Sequence, residues 1–326
     1  MYRNLISLLM AGLLAFPVLA DDSGPIKKPK VVFLIIDGIP ADVIENTETP
    51  AIDDIATMGG YVRSYVGGEV GGPSESPTVS AVGYNHLLTG TWSNKHNVWT
   101  NKIKDPNYAY WDIFRMAKTY DPTLQTAVFS TWLDNRTKLI GDGLDAAGGK
   151  KIDYAFDGFE HDEEQFPHGI TSNYIRDIDD WVSNEAARYI RENGPDVSWV
   201  YLQHTDDIAH FYGDGKKMTS AVKLMDERVG KVWGAVLDRQ KSHQEDWLVI
   251  VTTDHGRDSK SGRSHGGQSK RERTTWISTN STKLNGRFQQ NPAIVDILPS
   301  IATHLGLEIP PEIERELDGQ SFIGNP

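Results

Sequence analysis

Two stretches of the chain are apolar at every position, Val31–Ile36 and Trp247–Val251, and a third, Val197–Leu202, is broken only by Ser198. A strand with one wet face alternates apolar and polar residues. Unbroken runs of this length suit strands covered on both faces, as in a parallel sheet between helix layers. Each run stops abruptly at polar residues: Asp37-Gly38, then His204-Thr205-Asp206-Asp207-Ile208-Ala209-His210, then Asp254-His255-Gly256.

Between these runs the period becomes that of helices. Thr49-Pro50 reads as an N-cap and first-turn proline, with Gly59-Gly60 as the stop. A Gly-, Ser- and Pro-rich loop over 67–77 leads to a helix over 81–88, with Ser80 at its N-terminus. Further helices are expected over 111–118, 171–193, 217–239 and 294–305. In the longest stripe Ile175, Ile178, Val182 and Ala186 fall on one face, and Gly194-Pro195 ends it. Additional strands are expected over 61–66, 124–130 and 274–278, and a polar, basic loop over 258–273. The stretch 141–169 is polar and glycine-rich without a clear period, and reads as a cap or insertion over a site. Strands alternating with helices define an α/β fold, a mainly parallel central sheet with helices on both faces. In such folds ligands bind at the carboxyl ends of the strands.

Composition narrows the chemistry. The 326 residues include 33 basic and 45 acidic side chains, a formal net charge of −12, which argues against a nucleic-acid scaffold or a basic membrane-surface protein. An anionic substrate stays open, because a bound dication reverses the local sign of a site. Cysteine is absent, which excludes disulfides, thiolate nucleophiles, thiolate-ligated zinc and a lipoprotein anchor. Arg3, the apolar run Leu5–Leu14 and Val18-Leu19-Ala20 read as an export leader, residues 1–20, cleaved after Ala20. Its apolar part falls short of the roughly 20 residues a bilayer requires. Residues 21–326 are then expected to form one domain, in the periplasm or outside the cell.

Asp37, Asp206, His210, Asp254, His255 and His265 are six candidate metal ligands, each at a strand end or in an adjoining loop. Imidazole and carboxylate together suit zinc, and less specifically manganese or iron. Asp206 and His210, four apart, share a face of a helical turn. Six ligands exceed what one tetrahedral ion takes and fit two, an arrangement that can hold the attacking and non-bridging oxygens of a phosphoryl group. Ser80 has no histidine at triad spacing and no Gly-x-Ser-x-Gly context. On local sequence it reads as a helix cap, and as a nucleophile it needs metal coordination to lower its pKa.

The stretch Pro77-Thr78-Val79-Ser80-Ala81-Val82-Gly83-Tyr84-Asn85-His86-Leu87-Leu88-Thr89-Gly90, followed by Asn94-Lys95-His96-Asn97-Val98, resembles the nucleophile motif of the alkaline phosphatase superfamily. It is most similar to the type I phosphodiesterase / nucleotide pyrophosphatase branch. Asp37-Gly38, Asp206 with His210, Asp254-His255-Gly256 and His265-Gly266 match that branch's remaining motifs in order. The resemblance implies one zinc held by Asp37, Ser80, Asp254 and His255, and a second held by Asp206, His210 and His265. It implies that Asn101 hydrogen-bonds a phosphoryl oxygen. It also implies a two-step reaction in which Ser80 attacks phosphorus and the phosphoseryl intermediate is then hydrolysed. The substrate would be a small phosphoester, a nucleotide among the options.

Three positions depart from the branch: Ser80 stands for the more usual threonine, Gly83-Tyr84 for Asn-His, and Asn97 for glycine. Tyr84, Trp92, Trp99, Tyr108, Tyr110 and Trp111 could stack on a base but read better as packing. Lys270-Arg271-Glu272-Arg273 reads as a solvated loop rather than a phosphate contact, and His86 as structural. The rival functions are a phosphomonoesterase on the same scaffold, a sulfatase and a non-catalytic metal-binding relative. No Lys-x-Arg clamp for a monoester was found downstream of Ser80. A sulfatase lacks its Cys/Ser-x-Pro-x-Arg motif, since Ala81-Val82-Gly83-Tyr84 follows Ser80. A mere binder has no use for Ser80.

Overall fold

The apolar runs lie side by side at the centre of one sheet. The computed structural model describes residues 27–169 and 171–324, so the expected leader lies outside the described residues. Seven strands are formed among them: β1 Lys28–Ile36, β2 Gly60–Tyr65, β3 Thr126–Ser130, β4 Tyr154–Phe156, β5 Val197–Leu202, β6 Glu245–Thr252 and β7 Thr274–Thr279. Their order is β2-β7-β6-β1-β5-β3-β4. β6, β1, β5, β3 and β4 run parallel, whereas β7 is antiparallel to both β6 and β2.

Successive side chains of β1 enter two different cores. Val31, Phe33 and Ile35 pack with apolar residues of the helices Ser80–Thr89, Ile113–Tyr120 and Ile297–Leu305. Val32, Leu34 and Ile36 pack on the opposite face with those of Pro50–Met58, Asn173–Asn193 and Lys216–Ser242. Both faces of the strand are therefore dry, which is why the run never alternates. Burying each such side chain is worth about 1.5–3 kcal/mol relative to exposure.

The register fixes where the strands stop. Ile36 pairs with Leu202 and Ile35 with Thr252, so the segments after β1, β5 and β6 emerge level with one another. This brings Asp37, the helix His204–Tyr212 and Asp254-His255 to one edge of the sheet.

Two expectations change. The stretch 141–169 supplies β4, a three-residue edge strand in register with β3 (Ala127 opposite Tyr154), before its remainder reaches the site. A strand that short leaves no period to read. The stretch 258–273 ends in a helical turn, Lys270–Arg273, rather than a loop. Its start is set by Ser269 and Glu272, which cap each other's backbone N–H groups at 3.3 and 3.2 Å. No helix among the described residues is long and apolar enough to cross a membrane.

Candidate active site

Every residue of the helix Ser80–Thr89 is buried, so its position against the strand ends is fixed by packing. Val79 occupies the N-cap position and Ser80 is the first helical residue, making no capping bond, so the cap reading of Ser80 does not hold. Its Oγ lies 3.4 Å from His255 Nε2. Gly83 faces the strand-end backbone, where a Cβ would come 2.6 Å from the Asp254 carbonyl oxygen. One turn beyond Ser80, Tyr84 is fully buried and its hydroxyl donates to Asp37 Oδ2. The Tyr201 hydroxyl donates to the same oxygen at 2.7 Å. Thus Gly83 and Tyr84, which depart from the branch's usual pair, serve close approach and carboxylate support. Asn97 lies in the left-handed region at φ 61°, a conformation asparagine tolerates better than other non-glycine residues.

The expected ligands converge. His255 Nε2 is 3.5 Å from Asp37 Oδ1 and 3.3 Å from Asp254 Oδ2. Both of those carboxylate oxygens are buried without a hydrogen-bond partner. On the other side, His210 Nε2 lies 3.2 Å from Asp206 Oδ2 and 3.1 Å from His265 Nε2. Asp37, Asp254 and His255 offer ligand atoms within 4.8 Å of one another, and so do Asp206, His255 and His265. The rings of His255 and His265 stack with centroids 3.8 Å apart. His255 Nδ1 faces the Gly256 carbonyl at 2.9 Å, and His265 Nδ1 faces that of Thr78 at 2.9 Å. Each of these bonds requires the proton on Nδ1, which leaves Nε2 with its lone pair toward the site.

The electrostatics are those of a site short of cations. Burial, together with Asp254 and Asp206, holds the Asp37 carboxyl well above the usual range. Burial and then Asp206 push Asp254 up to about 7. Burial and then the neighbouring His265 hold His255 well below its ordinary value. Asp206 also suffers burial, but His210 and Arg257 outweigh it and hold its carboxyl low. Partnerless carboxylate oxygens, imidazoles with free Nε2 atoms and a mixed N/O donor set fit divalent metal ions.

Arg257, passed over in the sequence, is fully buried beside these ligands. Its guanidinium donates to Asp206 Oδ1 and, at 3.0 Å each, to the carbonyls of Gly38, Asp206 and Arg263. One side chain thereby ties together the segments following β1, β5 and β6. Its place directly after Asp254-His255-Gly256 was the available signal.

Asn101 lines a cavity of about 310 Å³ together with Ser80, Trp132, Glu160 and Tyr174. Its Oδ1 accepts the Ala81 N–H at 3.0 Å, which leaves the amide NH2 as a donor beside Ser80. Other residues singled out in the sequence have structural roles. The Nε2 of buried His86 lies between the hydroxyls of Ser76 and Ser93 at 3.3 and 3.2 Å. Arg271 pairs with Asp42 and Asp214 at 3.0 and 3.1 Å, and Arg273 donates to the Gly67 carbonyl at 3.0 Å.

A mainly parallel sheet whose carboxyl edge gathers Asp, His and a helix-borne serine has the alkaline phosphatase-like α/β fold. The same fold occurs in a phosphonate monoester hydrolase of Agrobacterium radiobacter, with TM-score 0.61 and 14% identity over 91% of this chain and 78% of that one. It occurs also in a 2-O GAG sulfatase, with TM-score 0.60 and 14% identity over 90% of this chain and 75% of that one. Within the superfamily, the chain belongs to the Type I phosphodiesterase / nucleotide pyrophosphatase family, whose model matches residues 31–300. Bis(5'-adenosyl)-triphosphatase ENPP4 of Homo sapiens is 22% identical over 265 residues, 78% of this chain and 52% of the relative. The chain thus spans about half the length of that curated relative.

Proposed function

We propose that the chain is an exported enzyme with two zinc ions that hydrolyses phosphodiester or pyrophosphate bonds through a phosphoseryl intermediate. The observation that carries this reading is the Ser80 hydroxyl, 3.4 Å from His255 Nε2 and beside two buried carboxylate oxygens without partners. Asp37, Ser80, Asp254 and His255 would hold one ion, and Asp206, His210 and His265 the other. When bound, the ions supply Lewis acidity and lower the pKa of hydroxyl and water ligands. Ser80 Oγ attacks phosphorus in line and displaces the first alcohol or phosphate. Its place at a helix N-terminus puts the positive end of the helix dipole next to the developing negative charge. The Asn101 amide holds an equatorial oxygen, a type of contact that strengthens as charge accumulates there. Water then cleaves the Ser80–phosphate bond and restores the hydroxyl.

A phosphomonoesterase is the competing reading. Among the described residues, those lining the cavity include Glu160 and Asp206 but no lysine or arginine, a poor setting for the extra charge of a monoester. Comparing kcat/KM for bis- and mono-p-nitrophenyl phosphate decides between them, with faster diester turnover expected. Faster monoester turnover would reverse the order. Metal analysis of the purified protein is expected to find two zinc ions per chain. Export is checked by the amino terminus of the mature protein, expected at Asp21; a retained leader contradicts it.

A further inference from the structure

The cavity beside Ser80 has a wall that this chemistry does not use. Glu160 stands on the turn Phe159–His161. Its Oε1 accepts the Leu133 N–H at 2.5 Å, whereas Oε2 is shielded from bulk solvent and has no hydrogen-bond partner. Among the described residues no lysine or arginine pairs with Glu160. The nearest cationic candidate, His161, lies 3.7 Å from the already bonded Oε1, and its own side chain is 67% exposed. Burial, only partly offset by the Leu133 N–H, holds the Glu160 carboxyl above its usual range. A positive charge brought into the cavity would reverse that effect.

Two half-buried aromatic side chains line the same cavity, Trp132 and Tyr174. Trp132 meets the ring of Tyr84 edge-on, with centroids 6.2 Å apart. Tyr174 lies against the His168 ring at 4.1 Å, and His168 Nε2 is 3.1 Å from the Glu160 carbonyl oxygen. The carboxylate and both rings therefore hold fixed positions around one space. Gln203, on the same lining, donates at 3.3 Å to Asp207, which adds a second acid to that side. A desolvated carboxylate flanked by π faces attracts a cation and repels an anion.

We propose that Glu160, Trp132 and Tyr174 form a subsite for a positively charged substituent of the phosphodiester, an amine or a quaternary ammonium. Glu160 supplies the counter-charge and the two rings supply the π faces. The subsite rests on the phosphodiesterase reading and adds a substrate class to it: zwitterionic diesters are favoured over nucleoside polyphosphates, whose further phosphates would meet the same acids.

The test compares p-nitrophenyl phosphodiesters of three alcohols on the metal-loaded enzyme. These carry a 2-(trimethylammonio)ethyl group, a 2-aminoethyl group or the uncharged isostere 3,3-dimethylbutyl. At least one ammonium ester is expected to exceed the isostere about tenfold in kcat/KM, mostly through KM. Glu160→Gln is expected to bring that ratio close to one. Equal rates for charged and uncharged esters, or a ratio that survives Glu160→Gln, overturns the proposal. A second measurement needs no turnover: calorimetric titration with 2-(trimethylammonio)ethyl phosphate and with 3,3-dimethylbutyl phosphate. Tighter binding of the ammonium compound, lost in Glu160→Gln, supports the subsite, and equal binding overturns it. If no diester is hydrolysed at all, the phosphodiesterase reading falls while the titration still decides the subsite.

Discussion

At the amino ends of β1, β5 and β6, Lys30, Asp196, Arg239 and Glu245 are buried together. At the carboxyl ends of the same strands, or just beyond them, Asp37, Asp206 and Asp254 are buried together. The first group is balanced. Lys30 Nζ is 2.7 Å from Asp196 Oδ1 and 3.8 Å from Glu245 Oε1, and Arg239 Nε donates to Glu245 at 2.9 Å. Burial raises the carboxyls of Asp196 and Glu245, but their cationic partners outweigh it and hold both below the usual range. The second group has three carboxylates and a single guanidinium, and two of the three titrate above the usual range. Burial alone therefore does not tell a structural charge from a functional one. What distinguishes them is whether the protein supplies its own counter-ion.

The largest expected effect is at the unbalanced end. Ser80→Ala is expected to lower kcat toward a phosphodiester by about 10⁴-fold or more, read in a steady-state assay. Full activity in that variant would remove the basis for a serine nucleophile. At the balanced end, Lys30→Met strips a buried partner from Asp196 and Glu245 and is expected to cost about 3 kcal/mol in denaturant unfolding, with KM unchanged. A loss below about 0.5 kcal/mol would mean that Lys28, 2.8 Å from Asp196, carries the pairing alone. Asn101→Ala removes the amide beside Ser80 and is expected to reduce kcat about 10²-fold, while loss of its bond from the Ala81 N–H costs only about 1 kcal/mol in unfolding.

The smallest effect sharpens the comparison most. In metal-free protein, Asp254→Asn relieves like-charge repulsion and is expected to stabilise the fold by about 1–2 kcal/mol at pH 8. The sign follows from Asp254 titrating near 7 when folded, above its unfolded value. Its neutral form is compatible with the fold at low pH, and the wild type loses that stability as pH rises through about 7. The gap between wild type and variant is therefore expected to open between about pH 4 and 8 and to shrink when zinc is added. A gap independent of pH would show that Asp254 is compensated from within the protein.

Much of this was legible in the chain. The unbroken apolar runs gave the central strands because each of their faces meets a helix layer, and the polar residues ending them gave the candidate metal-binding groups. Ser80, Asn101 and the six candidate ligand positions meet at one edge because the register holds the strand ends level. What stayed hidden depends on long-range contact. Arg257 is one charged residue among several in 257–273, and only the fold shows that it is buried on Asp206 and Gly38. Tyr84 reads as packing until its hydroxyl is seen on Asp37. Glu160 sits in a stretch without period, and its lack of a counter-ion is a property of space rather than of sequence. β4 is too short to announce itself.

The close approach at Gly83 sets how near the helix lies to the strand end in this chain. The ten-residue helix carries Ser80 at its first position, a methyl-free contact at its fourth and the phenol beneath Asp37 at its fifth. A one-residue slip would push a side chain into the Asp254 carbonyl and withdraw both hydroxyls from their places. Exchanging serine for threonine alters one methyl group and leaves the frame intact. Position 80 is thus free to carry either hydroxyl residue in this frame, whereas any side chain at position 83, the branch's usual asparagine included, requires the strand-end backbone at Asp254 to stand farther from the helix than it does here.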